Sequence, residues 1–118
     1  METKPARTRE SYAEELAANF DSKFFKVLSE PVRVQILKFL ILSGSSDIAA
    51  IAKALPQDRS VISRHLKFME EAEILKSEKV SRHVYYMVNV AAFRNKLSSI
   101  VEQITTCMNE CCPGGSCK

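Results

Sequence analysis

Arg59-Ser60-Val61-Ile62-Ser63-Arg64-His65-Leu66-Lys67-Phe68-Met69 is the stretch that decides the fold. Placed on a helix at about 100° per residue, Arg59, Ser60, Ser63, Arg64 and Lys67 fall within an arc of roughly 140°. Val61, Ile62, His65, Leu66, Phe68 and Met69 fill the opposite side. The polar arc has no acid before Glu70 and Glu71, a turn later. An ordinary amphipathic surface helix can carry the same stripe, so the helix alone does not assign a role. The segment C-terminal to it discriminates. Residues 74–79 and 83–88 change period and are rich in Val and Tyr, which predicts two short strands joined by Val80-Ser81-Arg82. The tip of that hairpin carries Lys79 and Arg82.

Upstream, Ser46 is read as the cap of a short helix over 47–55, with Ile48, Ile51, Ala52 and Leu55 apolar. Pro56 and Gln57 interrupt it, and Asp58 caps the decisive helix, which runs to about Ala72. Two short helices with a tight connection, then a hairpin, make a winged helix-turn-helix. Further out, Leu16, Phe20, Phe24, Val27 and Leu28 predict one helix over 10–28. Ser29 is read as the next N-cap, with Pro31 in the first turn. That helix carries Val34, Leu37, Leu40 and Ile41 on its apolar side and stops at Gly44. Asn89 caps a last helix over 90–108, and Pro113-Gly114-Gly115 prevents its continuation. The fold class is mainly α with a small β-hairpin, a winged helix-turn-helix in the order α-α-α-α-β-β-α. Residues 1–9 are expected to be disordered, 10–108 to form the DNA-binding and dimerisation domain, and 109–118 a cysteine-rich sensor tail.

In this reading the polar arc meets double-stranded DNA. Hydroxyl and guanidinium groups of Arg59, Ser60, Ser63, Arg64 and Lys67 bond base edges and phosphates. Lys79 and Arg82 meet the phosphate backbone or a minor groove. His65 lies in the middle of the apolar arc, which favours a structural histidine over a DNA ligand. His83 can be either, and of Tyr85 and Tyr86 one packs inward while the other is more exposed.

Length and composition set the frame. The chain has 118 residues, the size of one domain, and 46% of them are hydrophobic, enough for a core. The formal net charge of +3 permits nucleic-acid binding without requiring it. No segment approaches the roughly 20 apolar residues of a membrane span. The polar stretch Met1 to Glu10 is read as no signal peptide, so the expected compartment is the cytoplasm. Cys107, Cys111, Cys112 and Cys117 all lie in the last twelve residues. A disulfide framework would be spread along the chain, so thiols or metal ligands are expected instead.

Three segments together resemble one known family. They are Phe25-Lys26-Val27-Leu28-Ser29-Glu30-Pro31-Val32-Arg33-Val34-Gln35-Ile36-Leu37, then Ser60-Val61-Ile62-Ser63-Arg64-His65-Leu66-Lys67, then Arg82-His83-Val84-Tyr85-Tyr86. In this order they resemble the ArsR/SmtB metal-responsive repressors over roughly residues 20–90. The resemblance implies a homodimer joined by its first and last helices, a palindromic operator, and an inducer that releases the DNA. Two of the family's sensor patterns are missing. Asp47-Ile48-Ala49 stands where arsenic repressors often carry a Cys-x-Cys pair. The last helix offers only Glu102 before Glu110 and no histidine, where the zinc sensors use Asp, His and Glu. The wing tip has Ser81 in place of a frequent glycine.

The sensor is therefore sought in Cys111, Cys112 and Cys117. Thiolates suit soft ions, and arsenite or antimonite takes three of them in a trigonal pyramid. Cys111 and Cys112 cannot share one face of a regular helix; the turn at 113–115 brings Cys117 back over them, with Gly114 and Gly115 free to adopt positive φ. Cys107 stands one helical turn before Cys111. It is expected to pack as a small apolar residue, with a fourth-ligand role in a zinc or cadmium site as the alternative. DNA binding itself is expected to need no cofactor. A thiol redox or sulfur-species sensor on the same scaffold is the nearer rival. A thiol enzyme is the distant one, because these thiols sit beside no histidine and Lys118 is their only nearby cation.

Overall fold

The computed structural model describes residues 8–111. Its elements are α1 (Arg9–Phe20), α2 (Lys23–Leu28), α3 (Pro31–Ser43), β1 (Ser46–Asp47), α4 (Ile48–Ala54), α5 (Arg59–Glu71), β2 (Leu75–Val80), β3 (His83–Val88) and α6 (Val90–Cys111). They fall into two compact units, residues 23–94 and residues 8–22 with 95–111.

The first unit is a winged helix-turn-helix. Its core is built from Val27 of α2, Ile36 and Leu40 of α3, Ile51 of α4, Ile62, Leu66 and Met69 of α5, and Ile74-Leu75 at the start of the wing. Each fully buried aliphatic side chain contributes roughly 1.5–3 kcal/mol. Phe24 closes the core against Phe93, with ring centroids 5.3 Å apart. The sheet has the order β1-β3-β2 and is antiparallel throughout. In the hairpin Val80 pairs with His83, so the connection is the two residues Ser81-Arg82, with Ser81 at φ 59°. A left-handed residue at a two-residue hairpin loop suits the twist of the strands.

Several local expectations are corrected. The single helix over 10–28 is two, broken at Asp21-Ser22, where the N–H of Asp21 bonds Ala17 O and that of Ser22 bonds Asn19 O. Asp and Ser are weak helix formers, so a break at these residues costs little. Ser29 is not the cap of α3; its hydroxyl donates back to Lys26 O at 2.8 Å, and Glu30 is the cap with Pro31 as the first helical residue. Ser46 is not the cap of α4 either. Asp47 takes that place, accepting from Ala50 N–H at 2.9 Å, while Ser46 and Asp47 form β1 against Tyr86 and Tyr85. A two-residue strand is too short to show alternation in sequence. On α3 the buried residues are Ile36, Leu37 and Leu40, whereas Val34 and Ile41 are exposed at 43% and 71%. Apolar residues surround that helix on nearly every side, so its phase is not fixed by pattern.

Gly44 ends α3 at φ 74°, with open space around it; only the backbone conformation calls for glycine. α5 ends with Glu73 at φ 61°, where Ile74 N–H closes on Met69 O at 3.0 Å. A left-handed non-glycine residue costs roughly 1 kcal/mol or more. Glu73→Gly is expected to raise the unfolding free energy by about 0.5–1 kcal/mol, part of the gain being offset by unfolded-chain entropy. An upward shift of the urea midpoint at unchanged m-value checks this.

The second unit pairs α1 with the body of α6. Thr8 caps α1 through Ser11 N–H, and Arg9 is its first residue, so the helix begins inside the segment expected to be disordered; residues 1–7 lie outside the described part. Asn19 Nδ2 donates to Gln103 Oε1, and Gln103 Nε2 to Glu15 Oε1 at 3.3 Å. Asn89 Oδ1 accepts from Ala92 N–H at 3.4 Å as α6 begins, and α6 continues past 108 to Cys111.

Candidate nucleic-acid interface and thiol site

α5 buries Ile62, Leu66 and Met69, spaced four and three residues apart, and this fixes its rotation. The opposite face then presents Arg59, Ser60, Ser63, Arg64 and Lys67, all exposed. α4 and α5 are joined by residues 55–58, and the backbone carbonyl of Asp58 receives Ile62 N–H at 3.0 Å. Lys79 and Arg82 are exposed near the end of the hairpin, where of the six residues of β2 only Leu75 is buried.

α5 is tied to α3 by a residue that sequence reasoning missed. Arg33 donates from Nε to His65 Nδ1 at 3.2 Å and from a terminal nitrogen to Lys26 O at 3.0 Å. Its guanidinium lies 4.3 Å from the centre of the Phe68 ring. A charged side chain set between Val32 and Val34 was the available signal; its partner lies 32 positions away. His65 is half-buried and accepts a hydrogen bond. Burial, then the charge of Arg33, holds its pKa below the ordinary 6.5; Arg64 acts in the same direction and Glu30 opposes.

Protonating Nδ1 removes the acceptor for Arg33 and places two cations together, so acid weakens the fold here. The unfolded chain takes up this proton first, so the contribution is fully present above about pH 6.5 and is lost as pH falls toward the lower folded value. Urea midpoints measured from pH 7.5 to 5.5 should fall more for the parent than for His65→Asn, which does not titrate. His65→Ala should cost on the order of 1–2 kcal/mol of stability and leave sequence preference largely unchanged. Full stability with lost operator discrimination would mean that the residue reads DNA.

At the wing, His83 Nδ1 lies 3.4 Å from Asp47 Oδ2 while Oδ1 of the same carboxylate caps α4. One side chain thus serves both the hairpin and the helix-turn-helix. Tyr86 packs on the core, and Tyr85 lies beside His83 with ring centroids 6.2 Å apart.

Among the three expected ligands, Cys111 is the last residue of α6 and is buried, whereas Cys112 and Cys117 lie outside the described residues. Cys107 is half-buried one turn earlier, on the face of α6 that carries Cys111. Burial, then the Cys111 thiol, raises the Cys107 pKa, and Arg9 opposes them. A raised thiol is protonated at neutral pH and is a poor nucleophile. Among the described residues no group of three or more His, Cys, Asp or Glu is placed to hold a metal ion.

Residues 30–77 match the model of bacterial regulatory proteins of the arsR family. An uncharacterised HTH-type transcriptional regulator of Methanocaldococcus jannaschii is 33% identical over 69 residues, covering 58% of this chain and 78% of that protein. The chain belongs to the ArsR family.

Two further regulators are similar. The Staphylococcus aureus homolog of the cadmium resistance regulatory protein CadC is 31% identical over 58% of this chain and 56% of its own length. The solved structure of a possible transcriptional regulator for arsenical resistance has a TM-score of 0.56 at 30% identity, covering 66% of this chain and 83% of that one. As an ArsR-family winged helix-turn-helix, the chain is a DNA-binding transcriptional regulator and not an enzyme. The family match ends at Ser77, before the wing tip and the whole of α6. No helix among the described residues is long and apolar enough to cross a membrane.

Proposed function

We propose that the protein is a homodimeric repressor in the cytoplasm that leaves its operator when arsenite or antimonite binds Cys111, Cys112 and Cys117. The observation that carries this reading is the cluster of four cysteines in the last twelve residues of a DNA-binding chain. Three thiolates match the trigonal preference of these ions. The similar regulator for arsenical resistance supports the choice of ion, and the CadC relative supports a thiophilic ion generally.

Leu97, Val101 and Met108 of α6 are exposed at 39%, 60% and 40%, with half-buried Ile104 on the same stripe. A second copy of the chain is the occupant that turns this face inward. Two copies of α5 then enter successive major grooves about one helical turn apart. Arg59, Ser60, Ser63, Arg64 and Lys67 read bases and phosphates, while Lys79 and Arg82 hold the backbone. Because Cys111 ends the same helix, ordering the tail around an ion changes the pairing of the two DNA-reading units. A coupling of roughly 1–3 kcal/mol alters operator affinity about 5- to 150-fold.

The test uses a labelled operator duplex recovered by selection from random-sequence DNA. Arsenite added to the reduced protein should release the duplex, and peroxide alone should not. Release by peroxide with no arsenite response favours the redox reading instead.

A further inference from the structure

We propose that Asp47 is a positioning residue of the wing: its carboxylate, anchored as the cap of α4, holds His83 on the last rung of the hairpin and so sets where Arg82 and Lys79 meet DNA. The proposal rests on the reading of those two cations as DNA contacts. The outer hairpin packs on no core of its own, since residues 76–84 are all exposed. β1 reaches β3 at Tyr85 and Tyr86, two residues short of the last rung, which pairs Val80 with His83. Arg82 adjoins that rung in the chain, and Lys79 stands one rung further in, opposite Val84. His83 Nδ1 lies 3.4 Å from Asp47 Oδ2. The contact therefore joins the body of the winged unit to the rung beside the tip.

Asp47 is built for this double use. Its extended backbone, φ −82° and ψ 169°, serves both as the second residue of β1 and as the N-cap of α4. Oδ1 is committed to Ala50 N–H at 2.9 Å, which fixes the carboxylate and leaves Oδ2 for the wing. The carboxylate is also the less exposed partner, 23% against 60% for the imidazole. A cationic tip held in place before DNA arrives has less freedom to lose on binding. Charge alone acts the other way. A carboxylate near DNA repels phosphate, so its removal should tighten binding unless it positions the wing. The sign of the effect separates the two roles.

The experiment uses the full reduced chain and the selected operator duplex, with affinity read by anisotropy at several salt concentrations. Asp47→Ser keeps a capping oxygen and lacks the second one. It should melt close to the parent and bind roughly two- to fivefold more weakly, although it removes a negative charge. His83→Ala should weaken binding by a similar factor, and the double variant no further than either single one. Arg82→Ala should cost less in the Asp47→Ser background than in the parent. His83→Ala leaves the α4 cap untouched, so the same comparison in that background decides the matter if Asp47→Ser melts early. Equal or tighter binding by Asp47→Ser, losses that multiply in the double variant, or a full Arg82 effect in both backgrounds overturns the proposal. If Arg82→Ala alone binds as the parent does, the reading of the wing as a DNA contact has failed, and the positioning role with it. A weakened Arg82→Ala beside an unaffected Asp47→Ser refutes the positioning role alone.

Discussion

Serine at any one of Cys111, Cys112 or Cys117 is expected to abolish the release of operator DNA by arsenite, whereas Cys107→Ser should leave it largely intact. The reasoning is coordination number. A trigonal site has three positions, and removing one thiolate leaves a two-thiolate site. The expected loss of arsenite affinity is roughly a hundredfold or more, about 2.7 kcal/mol. All four variants should bind operator normally without the ion, because the proposed DNA contacts at 59–82 belong to the winged unit, whereas Cys107 and Cys111 do not. That separates a sensing defect from a folding defect. A response lost in Cys107→Ser but kept in Cys117→Ser would mean that different sulfurs hold the ion.

The second large effect is on DNA itself. Arg64→Ala or Ser63→Ala should cost on the order of 1–3 kcal/mol at a specific base pair and relax preference there. Lys79→Ala or Arg82→Ala should weaken binding to all sequences alike and reduce the salt slope by about one per lost phosphate contact. None of the four is buried, so none should change thermal stability much. Equal operator affinity for all four variants and the parent would refute the assignment of both helix and wing.

The rotation of α5 was legible because its two faces are chemically clean. Ile62, Leu66 and Met69 point inward, and the five polar residues opposite them are all exposed. The phase of α3 was not legible, since Val34, Ile41 and Leu42 look as apolar as Ile36, Leu37 and Leu40. β1 escaped because its pairing to Tyr85 and Tyr86 is set by tertiary register and not by local pattern. The clamp of Arg33 on His65 is likewise a contact across the fold. Pattern did show that His65 faces inward; it did not show what His65 bonds. Of the three cysteines proposed as ligands, only Cys111 lies among the described residues. Helical spacing brought Cys107 and Cys111 to one face, and α6 runs on to Cys111 instead of ending at 108.

The most direct measurement compares the full chain with one ending at Glu110, by fluorescence anisotropy of a labelled operator during arsenite titration under reducing conditions. Both proteins should bind the duplex equally in the absence of the ion. Arsenite should then release the full chain and leave the shortened one in place. Release of the shortened protein at the same arsenite concentration would contradict the account, because Cys107 would be the only cysteine left in it.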